Sequence, residues 1–180
     1  ASTTSVIDLT VNANAPPEAG GDKQLAAIAE DTTSILRVSG IKLADAEGTA
    51  PTQIRILSVE GGTLTTSGGE AITVGNDGTA LNVTGGAIDL VFKPAADRNA
   101  DAHITYVVVD PAVSGLNSAA SVITVPITAV NDAPVLAVSA LPRSFTENGA
   151  PLLLAPGLVL SDVDSTQLAS ATVTIPAGLS

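Results

Sequence analysis

Ile104-Thr105-Tyr106-Val107-Val108-Val109 is an unbroken run of β-branched and aromatic residues, the chemistry that fits a pleated, half-buried strand. Working outward, the same signature recurs along the chain. Ile54-Arg55-Ile56-Leu57-Ser58-Val59 reads as a strand closed by Gly61-Gly62, and Ile88-Asp89-Leu90-Val91-Phe92 alternates and ends at Pro94. Ala71–Val74 and Ala80–Val83 flank Gly75-Asn76-Asp77-Gly78, a turn signal of the hairpin kind. Ser121 to Val130 alternates as a final strand with Pro126 inside it. Proline cannot donate to a ladder, so a free edge or a bulge is expected there. Lys23–Ala29 suits an opening strand better than a brief helix. Gly or Pro punctuation at roughly 8–12-residue intervals predicts an all-β chain, an antiparallel β-sandwich of about seven strands.

The chain has 180 residues and 45% hydrophobic content, enough to bury a core. Phe92, Tyr106 and Phe145 are its only aromatics, so Val, Ile, Leu and Ala must fill the interior. The 18 acidic residues against 7 basic ones give a net charge of −11. That balance disfavours nucleic acid, whose affinity rests on Lys and Arg neutralising phosphates, and it disfavours anionic membrane surfaces. It suits divalent cations. Cysteine is absent, so neither disulfides nor thiolate zinc sites are available. No apolar run approaches the roughly 20 residues of a membrane span. With no Met, the sequence reads as an internal or processed piece of a longer protein.

An internal repeat organises the chain. At a shift of 117 residues, Glu30-Asp31 falls on Glu147-Asn148, Leu36 on Leu153, Gly40 on Gly157, Leu43 on Leu160 and Asp45-Ala46-Glu47 on Asp162-Val163-Asp164. Asn14-Ala15-Pro16-Pro17 corresponds to Asn131-Asp132-Ala133-Pro134. Ser5-Val6-Ile7 matches Ser121-Val122-Ile123 at a shift of 116. The expected organisation is residues 1–16 as the last strand of a preceding repeat, 17–132 as a complete repeat and 133–180 as the first part of the next.

The carboxylates gather at strand ends and at the joints between repeats. Asn131-Asp132 forms a joint, Glu147-Asn148 follows it, and Asp162-x-Asp164 sets two carboxylates two residues apart. Asp97, Asp101 and Asp110 stand at the edges of expected strands. Calcium takes about 6–8 oxygen ligands, so it needs carboxylates from several loops. Uncompensated carboxylates a few Å apart repel one another, and Arg143 is the single basic residue between Asn131 and Asp164. Turn chemistry is the competing reading, because Asp and Asn bond their own backbone in loops. It is the preferred one for Asn76-Asp77-Gly78.

These residues together resemble the bacterial cadherin-like repeats of large surface adhesins and type I-secreted giant proteins. Glu30-Asp31, Asp45-Ala46-Glu47-Gly48, Phe92-Lys93-Pro94-Ala95-Ala96-Asp97, Tyr106-Val107-Val108-Val109-Asp110 and Val130-Asn131-Asp132-Ala133-Pro134-Val135 carry the resemblance, which covers nearly the whole chain. It implies immunoglobulin-like sandwiches strung end to end, with Ca2+ held between successive modules, on a bacterial surface or in the extracellular space. Carried over by position, Asn131 and Asp132 serve the second joint, with Glu147, Asp162 and Asp164 from the following module and Asp110 and Asp97 from the one before. Glu30, Asp45 and Glu47 are left to the first joint. There Asn14-Ala15-Pro16-Pro17 lacks the Asp, so a weaker or metal-free site is expected.

Catalysis finds little support. His103, the sole histidine, stands at the start of a strand as a solvated residue, and no nucleophile elbow or phosphate-binding glycine motif is present. The leading expectation is a structural and adhesive spacer, with neighbouring repeats as its partners. The alternatives are a module that binds host or cell-surface glycan or protein through its loops, and a filament subunit completed by strand exchange. The scarcity of aromatic platforms counts against glycan.

Overall fold

The computed structural model of the chain describes residues 13–113, 115–138, 144 and 146–174. The match of Ser5-Val6-Ile7 to the final strand, and both Arg143 and Phe145, lie outside the described residues. The chain divides into two units, Ala1–Ala129 and Val130–Ser180, a division three residues from the boundary expected at residue 132.

Unit 1 contains β1 (Lys23–Gln24), β2 (Ile28–Ala29), β3 (Ser34–Val38), β4 (Gln53–Glu60), β5 (Gly62–Thr66), β6 (Ala80–Asn82), β7 (Ile88–Pro94), β8 (Ala102–Val108), β9 (Ser121–Val125) and β10 (Ile127–Thr128). One sheet has the order β1-β9-β8-β4-β6, and a second has β3-β7-β5. The strands of both pair antiparallel except β1 with β9, which run parallel. No helix occurs among the described residues. All-β architecture is therefore established, and the two sheets are compatible with a β-sandwich.

The alternation read from the sequence is what fills the core. Ile54 and Ile56 of β4, Ile104, Tyr106 and Val108 of β8, and Ile123 and Val125 of β9 are fully buried. They form one cluster with Leu36 and Val38 of β3, Leu64 of β5, and Leu90 and Phe92 of β7. Burying each such side chain contributes about 1.5–3 kcal/mol before conformational entropy is subtracted. Tyr106 adds a polar tie, since its hydroxyl donates to the Ala19 carbonyl at 3.2 Å. Burial pushes the Tyr106 phenol above its ordinary pKa; a hydrogen bond with Ser121 works against that rise and the nearby Asp22 charge adds to it.

Pro126 behaves as its chemistry requires. It splits the final strand into β9 and β10, and its carbonyl accepts the Ile28 N–H at 3.0 Å. Lys23–Ala29 forms the short opening strands β1 and β2, which run parallel to β9 and β10.

The hairpin expected across Gly75–Gly78 forms only in part. Thr79 N–H donates to the Thr73 carbonyl at 2.9 Å and Gly78 N–H to the Gly75 carbonyl at 3.0 Å, so the turn is present. Residues 72–74 form no strand. β6 pairs instead with β4, and the Gly75 N–H reaches the Ile56 carbonyl at 2.9 Å. A non-local sheet edge won over the local pairing. At Gly85-Gly86 the φ angles are 58° and 73°, and Thr84 and Ala87 exchange both backbone hydrogen bonds at 3.0 Å. Two successive left-handed residues of this kind favour glycine.

In unit 2, β11 (Val135–Ala137) and β12 (Val159–Ser161) pair antiparallel.

Candidate metal centre

The β11–β12 register decides which carboxylates of unit 2 meet. Val135 lies opposite Ser161 and Ala137 opposite Val159. Following the ladder outward by three residues sets Asp132 opposite Asp164. The Asp132 N–H accordingly donates to Asp164 Oδ2 at 2.6 Å. The Asn131 side-chain amide donates to the Asp132 carbonyl at 2.8 Å. Asp162 shapes the facing loop, its Oδ1 accepting the N–H of Asp164 at 3.0 Å and of Ser165 at 2.8 Å. That is an Asx turn, so the turn reading and the ligand reading of Asp162-Val163-Asp164 hold together. The turn aims Asp164 at the Asp132 backbone.

A carboxylate oxygen of Asp132 and one of Asp164 lie within 4.8 Å of each other. At that separation two like charges repel by about 1 kcal/mol in water and about 3–4 kcal/mol at an effective dielectric of 20. Asp132 is half-buried and Asp164 exposed, so solvent screening keeps the cost towards the lower figure. These are hard oxygen donors, the type that suits a hard cation such as Ca2+. Asn131 and Asp162 lie in the same pair of loops. Glu147 sits in an exposed turn at residues 146–149, where Gly149 N–H donates to the Thr146 carbonyl at 3.0 Å.

Within unit 1, strand register assigns each remaining candidate to one of two ends. β8 and β9 pair Tyr106 with Ser121 and Ala102 with Val125. Asp110 therefore lies at the leading end, where residues 13–18 join the unit. There the Asn14 side-chain amide donates to Asp110 Oδ2. Asp45 and Glu47 share this end, because Glu18 N–H bonds the Ala44 carbonyl at 2.9 Å and the Glu47 N–H bonds Asp45 Oδ1 at 2.9 Å. Glu30 lies at the trailing end, its N–H donating to the Thr128 carbonyl at 3.1 Å. Asp97, with a left-handed φ of 56°, is in the loop that leads into Ala102 at the same trailing end.

Sequence position alone assigned Asp110 to the second joint and Glu30 to the first. The register corrects both, since each lies at the opposite end of unit 1. Asp97, Asp45 and Glu47 lie at the ends expected for them. The partnership of Asn14 with Asp110 escaped the sequence reading. Its only advance signal was an Asn preceding Ala15 where the second joint has Asn131-Asp132.

Asp110 is 3% exposed. Burial pushes its carboxyl up. Hydrogen bonds to Oδ1 from the N–H of Ala112 at 2.6 Å and Val113 at 3.1 Å, with the Asn14 amide on Oδ2, outweigh this and hold it below the ordinary carboxylate range. Arg55 lines the same 210 Å³ cavity as Asp110. His103 is half-buried on β8 with Nδ1 3.4 Å from Thr124 Oγ1, and it lies opposite Glu60 of β4. Compared with known protein families, curated proteins and solved structures, the chain matches none.

Proposed function

We propose that this chain is a non-catalytic spacer segment of a bacterial cell-surface or secreted adhesin, built from immunoglobulin/cadherin-like repeats in tandem and stiffened by calcium at the joint that contains Asn131-Asp132. The observation that carries the reading is the pairing of Asp132 with Asp164. It brings together two carboxylates with hard-oxygen chemistry, at the position where the sequence repeat has its boundary. Asn131 and Asp162 extend the donor set within the same two loops.

Extracellular calcium sites have dissociation constants of about 10⁻⁴–10⁻³ M. Calcium at ten times that constant adds about 1.4 kcal/mol per site by mass action, enough to restrict a short joint. The test is calcium calorimetry together with small-angle scattering of the chain in calcium and in chelator. Saturable binding and a longer, narrower distance distribution in calcium are expected. Absence of binding at several millimolar calcium, with identical scattering under both conditions, sinks the proposal.

A further inference from the structure

We propose that Asn14 is a cation-free latch: its side-chain amide, bonded to Asp110, holds residues 13–18 of unit 1 against that end of the module without a bound cation. The inference rests on the spacer reading for its purpose, but the latch itself rests on contacts wholly within unit 1.

Three observations converge. First, both oxygens of the buried Asp110 carboxylate already hold donors. Oδ1 accepts the N–H of Ala112 and Val113, and Oδ2 accepts Asn14 Nδ2. A carboxylate so supplied needs no cation to be stable in a buried place. Second, the atom that Asn14 presents is an amide nitrogen. Its lone pair is delocalised into the amide, so it donates hydrogen bonds and does not ligate calcium, whose ligands are oxygens. Third, the second linker carries Asp132 where the first carries Ala15. The carboxylate that would need a cation is missing from the linker that has the amide bond, and the two joints stiffen by different chemistry. Asp45, Glu47 and Glu18 also stand at this end; Asp45 Oδ1 accepts the Glu47 N–H, while its Oδ2 is buried without a hydrogen-bond partner. The segment has a further anchor in Glu18, which forms an ion pair with Lys42.

The test is amide hydrogen exchange of Ala13, Asn14, Ala15 and Glu18, Pro16 and Pro17 having no N–H, in the full chain, in calcium and in chelator, for the wild type, Asn14→Ala and Asn14→Asp. Asn14 is at the surface end of the contact, so the variants leave the core untouched, and far-ultraviolet dichroism confirms the fold. The wild type is expected to be equally protected in both media. Asn14→Ala is expected to exchange about 10-fold faster in both, as suits loss of a hydrogen bond to a charged group. Asn14→Asp, which sets a carboxylate against Asp110, is expected to exchange fast in chelator. Slowing of wild-type exchange by calcium overturns the latch, and so does unchanged exchange in either variant. Calorimetry on the same samples reads the Asp132–Asp164 site separately. No calcium heat with intact latch behaviour removes the spacer reading and leaves the latch standing.

Discussion

The backbone N–H of Asp132 donates to the side chain of Asp164 at 2.6 Å, across 32 residues of sequence. The bond is the continuation of a β ladder beyond its last paired residues, with Asp162 turning the chain so that Asp164 reaches back. It concentrates negative charge at one place on a chain that is short of basic residues. The proposed calcium site follows from that concentration.

Asp164→Asn keeps an oxygen for the Asp132 N–H and removes one charge. Calcium affinity is expected to fall about 10-fold or more in calorimetry. In chelator the same variant is expected to melt no lower than the wild type, since a solvent-screened repulsion of about 1 kcal/mol has been relieved. Wild-type affinity in the variant would remove Asp164 from the ligand set.

Acid weakens the Asp110 corner in a defined direction. Its carboxyl titrates lower in the folded chain than in the unfolded one. Its contribution is therefore fully present above the unfolded value of about 3.9 and is lost as pH falls through the lower folded value. Asp110→Asn removes this dependence. The measurement is chemical denaturation at several pH values between about 2 and 6, where the wild type is expected to lose more stability than the variant as pH falls.

Gly62 opens β5 against the β7 strand. A Cβ built there falls on the Lys93 carbonyl and on the ring of the fully buried Phe92. Gly62→Ala is expected to destabilise unit 1 by about 1–3 kcal/mol through overpacking, seen as a lower melting temperature. Gly68→Ala makes the control, because its backbone is not left-handed and a Cβ there meets nothing nearer than Thr66 Oγ1 at 3.7 Å.

Tyr106→Phe keeps the ring in the core and deletes the hydroxyl bond to Ala19. A loss of about 1 kcal/mol is expected, with faster amide exchange confined to residues 19–22. Unchanged exchange there would show that the hydroxyl does not anchor this segment.

The sequence by itself determined the all-β class and most strand positions. Local chemistry sets both: Ile104–Val109 and Ile88–Phe92 have β-branched alternation wherever they fold, Pro126 lacks an N–H in every context, and Gly85-Gly86 tolerates left-handed backbone before any partner arrives. The linker carboxylates Asp132, Asp162 and Asp164 were legible as a group from their spacing and from the repeat. Tertiary structure alone decided which groups meet. Register between β8 and β9 sends Asp110 to the end that holds Asn14, and the pairing of β2 with β10 sends Glu30 to the end that holds Thr128. The edge of β4 took β6 and left residues 72–74 without a strand of their own. Strand pairing joins residues far apart in the chain, and one register fixes the neighbours of every side chain along it. No spacing rule along the sequence contains that information.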